Sequence, residues 1–268
     1  MQEQPIPLES LLFKSFILPF VLLTSLLMSA QVKSKDVVTL WSYYDYPPFV
    51  ISVADKKGLN FDFVEMLNLF EIDSPYEYVL KMVPRKRLDA YLKTNEKGAV
   101  LWVNPIFFAD VKQEKYDWTN RVLEDEQSFV SSAKTPFIYS GPESLMAPGF
   151  VLGGISGHLY GGIQKEIDAG KIVRSDVSNA RQNIGMLLKG RVSSFLIPLS
   201  TMKYYEKDMK LSHKIYYSPT PLKAYTRHIL VNHNEKVFQA LSTIVDKLDQ
   251  DEYWKTLLDQ YGLSLPRE

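Results

Sequence analysis

The sequence predicts an α/β protein of two lobes joined by two hinge strands. Two observations carry that expectation. The order β-α-β-α-β occurs over 37–103 and again over 150–197, and strands alternating with helical patterns indicate parallel sheets covered by helices. An alternating segment near 126–133 and a second candidate crossing near 222–230 lie where the chain must pass from one half to the other and back. Parallel sheets place strand C-termini and helix N-termini on one edge. Two such halves tied by two strands present those edges across a cleft, the architecture of a hinged protein.

The elements follow in order. Strand 37–42 runs into LWSYYDYPPFV (40–50), where Pro47 and Pro48 cannot donate to a ladder and end any pairing. In 60–70 the apolar positions 63, 66, 67 and 70 have helical spacing, with Asn60 as the expected N-cap after Gly58. Segment 76–82 alternates as a strand. Pro84 opens a second helix with Leu88, Tyr91 and Leu92 on one face, a position where proline is permitted. Gly98 closes it and 99–103 is a buried third strand. In the second half, a strand at 150–152 enters the turn GGISG, followed by a helix over 159–169, a strand over 171–174, a helix over 177–188 and a strand over 191–197 that Pro198 stops. Helices 235–249 and 251–261 finish the chain at Gly262.

Composition excludes several function classes. There are 31 basic and 31 acidic residues, so no electrostatic case exists for nucleic acid or an anionic membrane surface. The chain has no cysteine, which removes thiol catalysis, disulfides and thiolate metal sites. The four histidines, 158, 213, 228 and 233, show no i, i+4 pair and no H-E-x-x-H, so no metal site is expected. The acids of EDE (124–126) and DQDE (249–252) read as solvated segments or helix starts, and no general acid–base pair stands out. The apolar, uncharged run SFILPFVLLTSLLMSA (15–30) follows Lys14. It reads as a cleaved export signal over 1–30, with an uncleaved N-terminal anchor as the rival.

Several stretches, taken together, resemble the bacterial periplasmic solute-binding proteins of the polar amino-acid class, family 3. YPPF (46–49) resembles the family's aromatic-x-Pro-Phe turn, and GLNFDFVEMLN (58–68) its first helix start. YDWTN (116–120) is similar to its xDFS segment before the first hinge strand. GGISG (153–157), LLKGRVSSFL (187–196) and LDQDEYWKTLLDQYG (248–262) resemble second-lobe and C-terminal segments. VPRKRL (83–88) is similar to a PWKRA variant of the same family. The resemblance implies a type II periplasmic-binding-protein-like fold with lobe 1 over 31–127 plus 226–268 and lobe 2 over 128–225. It also implies a monomeric periplasmic protein that closes on a small polar or aromatic solute, uses no cofactor, and delivers the solute to an ABC permease. A sensor membrane protein is the alternative partner, and a cyclohexadienyl-dehydratase-like enzyme the alternative activity.

The sequence departs from the family where standard ligands are held. The carboxylate-binding arginine corresponds to Lys112, and the two ammonium-binding acids correspond to Tyr43 and Pro198. Lysine does not reproduce arginine's bidentate fork, and an α-amino acid needs both a fork and an acid because both its charges lose water on closure. A solute other than a standard amino acid is therefore expected.

Ten ligand-contact candidates result. Tyr43 and Tyr46 are amphipathic rings at the first strand's end that suit a site which opens and closes; Phe49 is assigned to the core. Arg85 sits at a helix start, where the macrodipole opposes a cation unless an anion binds; a solvated RKR run is the other reading. Trp102 and Asn104, two apart on a strand, share a face and fit either a cleft floor or a buried Trp with its N–H satisfied. Lys112 enters through the resemblance. Ser156, Gly157, His158 and Tyr160 follow a strand in a glycine turn whose N–H groups can receive an anion or carbonyl; a plain tight turn is the alternative.

Overall fold

The structure is a computed structural model that describes residues 35–70, 74–94 and 96–265. The expected export signal, 1–30, lies outside the described residues. Ten strands form one mixed sheet. Those of the main path are β1 (Asp36–Ser42), β2 (Tyr76–Met82), β3 (Gly98–Val103), β5 (Leu123–Ser132), β6 (Leu152–Ile155), β7 (Arg174–Val177), β8 (Ser194–Pro198) and β10 (Lys223–Asn232). Their spatial order is β2-β1-β3-β10-β5-β8-β6-β7. β1 pairs with β3 in parallel, and β6 pairs in parallel with β7 and β8. Between these two parallel groups, β10 and β5 run antiparallel to each other and to their outer neighbours. They are the two strands expected to join the lobes. Two short strands without a sequence signal, β4 (Asp117–Trp118) and β9 (Ile215–Tyr217), pair with β10 and β5.

The helices are α1 (Leu59–Phe70), α2 (Arg85–Lys93), α3 (Gln164–Asp168), α4 (Ala180–Leu188), α5 (Leu199–Asp208), α6 (Glu235–Val245) and α7 (Glu252–Gln260). α1 starts one residue before the expected N-cap. Gly58 makes this start possible: its φ is +130°, and a Cβ there would lie 2.5 Å from the Phe49 carbonyl oxygen. Asn60, expected to cap, is instead buried; it accepts from Trp102 Nε1 at 2.6 Å and donates to Ser42 Oγ at 3.1 Å. α3 is shorter than the expected 159–169 because the chain first makes successive turns through Gly161 and Gly162. α5 was not expected: Pro198 ends β8 as foreseen but also serves as the helix N-cap residue.

The sheet separates unequal cores. One large apolar cluster takes residues from 38–123 and 229–261 and holds all four tryptophans, Trp41, Trp102, Trp118 and Trp254. Two smaller clusters lie further along: one with Ile184, Phe195 and Met202, the other with Phe129, Tyr160 and Ile163. Helices packed on both faces of a short sheet produce such a divided core.

Trp102 sits at a break in the β3–β10 register, which shifts between His228 and Leu230. Its φ is +62°, the left-handed region that a bulky residue occupies only when its surroundings fix it. The surroundings here are the Asn60 hydrogen bond, a stack on Trp254 at 6.3 Å, and edge contact with Phe63 at 4.8 Å. The bulge cancels simple alternation, so Trp102 goes to the core while Asn104 turns to β10.

Candidate functional site

A cavity of about 590 Å³ opens beside the sheet's middle strands, within the size range of small-molecule sites. Asp45 and Tyr46 reach it from the tyrosine loop after β1, and the turn after β6 contributes His158 and Tyr160. The N-terminal ends of α4 and α5 contribute Ser178, Asn179 and Thr201. Its edge follows one cross-strand row, Lys223 opposite Gln127 opposite Pro198.

Tyr46 is held edge-on by Tyr44 at 5.6 Å and Phe49 at 5.9 Å. Burial, opposed by the nearby Arg227 charge, pushes its phenol well up, so it remains a hydroxyl at physiological pH. The turn after β6 is braced by Arg174. That guanidinium pairs with Asp176 at 2.5 Å, donates to the carbonyls of Ile155 and His158, and lies 4.9 Å over the Tyr160 ring. Gly154 leaves room beneath this brace, where an added Cβ would force the Arg174 and Asp176 side chains to shift. Tyr160 is buried, and its hydroxyl accepts from the Ile155 N–H at 3.1 Å. Partial burial, then the Arg174 charge, lowers the His158 pKa below its ordinary value and favours neutral imidazole.

The ten candidates do not all meet. Tyr46, His158 and Tyr160 line the cavity, and Ser156 and Gly157 are exposed in the same turn. Tyr43 is half-buried on the large core and hydrogen-bonds Tyr44 through the two hydroxyls at 2.9 Å. Arg85 is committed away from the cavity: it pairs with Asp89 at 2.8 Å, donates to the Phe107 carbonyl at 2.6 Å, and lies 4.2 Å over Phe108. Trp102 is fully buried, the second of its two expected settings. Asn104 accepts from the Ile106 N–H and donates to the Thr226 carbonyl of β10 at 2.8 Å. Lys112 is exposed on a loop.

The sequence reading missed a buried ion pair on the joining strands. Asp125, read as part of a solvated EDE run, is in fact buried. Its Oδ2 receives Arg227 Nη2 at 2.6 Å and Nε at 2.8 Å, with the two side chains 0% and 1% exposed. The alternation of β5 was the available signal, because Asp125 falls on the same face as buried Leu123. Asp125 also accepts from the Ser200 N–H at 3.0 Å and the Ser200 hydroxyl at 2.7 Å, at the start of α5. Arg227 donates to the Trp102 carbonyl at 2.9 Å and lies over Phe49 at 4.8 Å and Tyr44 at 5.0 Å. Burial alone would depress the guanidinium; the Asp125 carboxylate outweighs it and keeps Arg227 charged. The pair thus fastens both joining strands to α5 on one side and to the large core on the other.

Comparison with solved structures places this geometry. The L-cystine solute receptor of Neisseria gonorrhoeae, in its unliganded open conformation, superposes over 88% of this chain and 97% of its own, with a TM-score of 0.61 and 18% identity. An ancestral arginine-binding protein bound to arginine matches over 84% and 97%, with a TM-score of 0.60 and 13% identity. The periplasmic domain of B. pertussis BvgS matches over 84% of this chain and 42% of its own, with a TM-score of 0.63 and 13% identity. The fold is the two-lobed type II periplasmic-binding-protein fold. At these identities the likeness is one of fold. No protein-family profile matches the sequence, and no curated protein matches it. Among the described residues, no helix is long and apolar enough to cross a membrane and no group of three or more histidines or acids is placed to hold a metal.

Proposed function

We propose that this is an exported solute-binding protein that closes its two lobes on a small polar or aromatic molecule. One observation carries the reading: a cavity of about 590 Å³ at the strand ends that takes Asp45 and Tyr46 from one lobe and Tyr160 and Thr201 from the other. Lobe 1 runs over 31–127 plus 226–268 and lobe 2 over 128–225 in this reading. Tyr46, His158 and Tyr160 touch the solute directly, with Ser156 and Gly157 beside them. Closure is driven by the solute's higher affinity for the closed form, since equal affinity would shift nothing. The closed monomer then presents itself to a membrane partner in the periplasm, an ABC permease or a sensor receptor. A non-catalytic role is supported by the lining, where the one carboxylate among the described residues, Asp45, is exposed.

Small-angle scattering and thermal unfolding across amino acids, organic acids, amines and short peptides test this. A ligand at a hundred times its Kd adds about 2.7 kcal/mol, and the same compound should reduce the radius of gyration. A panel that moves neither quantity rules the proposal out.

A further inference from the structure

We infer that the cleft takes an uncharged, flat solute with an amide-type edge, a donor beside an acceptor, and that Gln127 is the side chain that reads this edge. The inference rests on the solute-binding reading above and specifies its ligand. Gln127 lies on β5, one of the two joining strands, in the middle of the row Lys223, Gln127 and Pro198. It lines the cavity and is half-buried. Its backbone carbonyl accepts from the Leu222 N–H at 2.9 Å, but its side-chain amide has no hydrogen-bond partner among the described residues. By contrast, the amides of Gln164, Gln182 and Gln239 each hold a protein partner. A guest that covers the Gln127 amide removes its remaining water, and an amide left unpaired is then costly. The guest must therefore supply the partner.

A carboxamide presents an acceptor and a donor side by side, and its full complement is a second edge of the same kind. A carboxylate would take the Nε2 donor but turn its other oxygen against Oε1. An ammonium would satisfy Oε1 but meet Nε2. The rest of the lining also lacks a seat for a full charge. Its acid and its lysine, Asp45 and Lys223, are of opposite sign and both exposed, and exposed charges attract weakly. Partial burial, then the Arg174 charge, favours the neutral form of His158. The guanidiniums nearby are engaged: Arg174 with Asp176, Arg181 with Asp208, and Arg227 with Asp125. An ion stripped of water in this cavity finds no unpaired buried countercharge among the described residues. Tyr46, Leu196 and Leu222 supply apolar walls that suit a flat body.

The test is calorimetric titration of the purified protein with molecules on one phenyl frame: benzamide, benzoate, benzylamine, benzamidine and the zwitterion 4-(aminomethyl)benzoate. Benzamide should bind, and each charged relative should be about tenfold or more weaker. Raising the salt should leave benzamide affinity within about twofold, because no ion pair is screened. Gln127→Leu should weaken benzamide by about tenfold without lowering the melting temperature of the free protein. Gln127→Glu should reverse the order to benzamidine over benzamide, since a carboxylate accepts both amidinium N–H groups; if Gln127→Leu fails to fold, this reversal decides. A charged relative that binds the unaltered protein more tightly than benzamide overturns the inference and leaves the solute-binding reading standing. So do unchanged benzamide affinity in Gln127→Leu, a retained preference for benzamide in Gln127→Glu, and silence of benzamide while another solute binds. Silence from the whole series and from the wider solute panel overturns both.

Discussion

The two lobes are cored differently. Around β1, β3 and β10 a single large cluster packs every tryptophan; among the described residues, Trp41 Nε1, Trp254 Nε1 and Asn232 Oδ1 have no hydrogen-bond partner, while some other buried polar groups beside it hold several. Asp110 shows this best. Its carboxylate accepts from the N–H groups of Glu114, Lys115 and Tyr116 and from Trp118 Nε1 at 2.8 Å. Around β6 and β8 the apolar residues divide into two small clusters, and the cleft wall they support carries an unpartnered hydroxyl at Thr201. The difference teaches where rigidity and recognition lie. The first lobe is built on one continuous core, while the second divides its apolar residues beneath the turn and helix starts that line the cavity.

Four substitutions break or sharpen that contrast. Asp125→Ala has the largest expected effect, because it leaves Arg227 buried and unpaired and cuts both joining strands from α5. A loss of about 3–5 kcal/mol is expected in urea unfolding, felt by both lobes. A loss confined to one lobe would show that the pair does not couple them. Trp102→Ala should cost about 3–4 kcal/mol, all of it in the large core. Retained affinity for a solute in this variant would confirm that the ring belongs to the core and not to the cleft.

Asp110→Asn should cost about 1–3 kcal/mol at neutral pH through the loss of charge-assisted acceptance. Burial alone would raise the Asp110 pKa; the hydrogen bonds from Trp118, Lys115, Glu114 and Tyr116 outweigh it and hold the carboxyl below its usual range. A folded pKa below the unfolded one gives stability that is complete above the ordinary aspartate value of about 3.9 and is lost as pH falls through the folded value. His228 adds to acid lability. Burial lowers its pKa, with the backbone contacts at Thr119 and Asn120 only partly opposing, so stability falls as pH drops below the ordinary histidine value of about 6.5. Asp110→Asn should flatten the lower part of the pH–stability curve and leave the histidine part in place. The smallest effect belongs to Thr201→Val, which removes an orphan hydroxyl and should change the free protein by no more than about 1 kcal/mol, in the stabilising direction. A clear destabilisation would mean that the hydroxyl already has a partner in solution.

Much of the architecture was legible from period and punctuation. β2 falls on the expected 76–82, and the helix start at DQDE is realised when Asp251 accepts from the Trp254 N–H at 2.7 Å. The two joining strands were suggested by their position between the two β-α-β-α-β halves and after the second, the first also by its alternation. What failed was anything depending on distant partners. Asn60 has a capping residue's chemistry, but the Trp102 indole across the core claims it. The face shared by Trp102 and Asn104 assumed an unbroken ladder, and a bulge changes the count. α5 hid behind Pro198, which looks the same whether it stops a strand or begins a helix, although Met202 and Tyr205 on its buried side carry helical spacing. At the cleft, the turn 156–160 was suggested by its glycines, whereas Thr201 offers no local sign.

The placement of all four indoles in the large core has a practical consequence. Tryptophan emission therefore reports on that half alone, so unfolding of the β6–β8 half would pass unseen in a tryptophan-fluorescence melt. Replacing Phe195 with tryptophan would give the silent half its own signal, and the same molecule could then be followed as two separately coloured bodies.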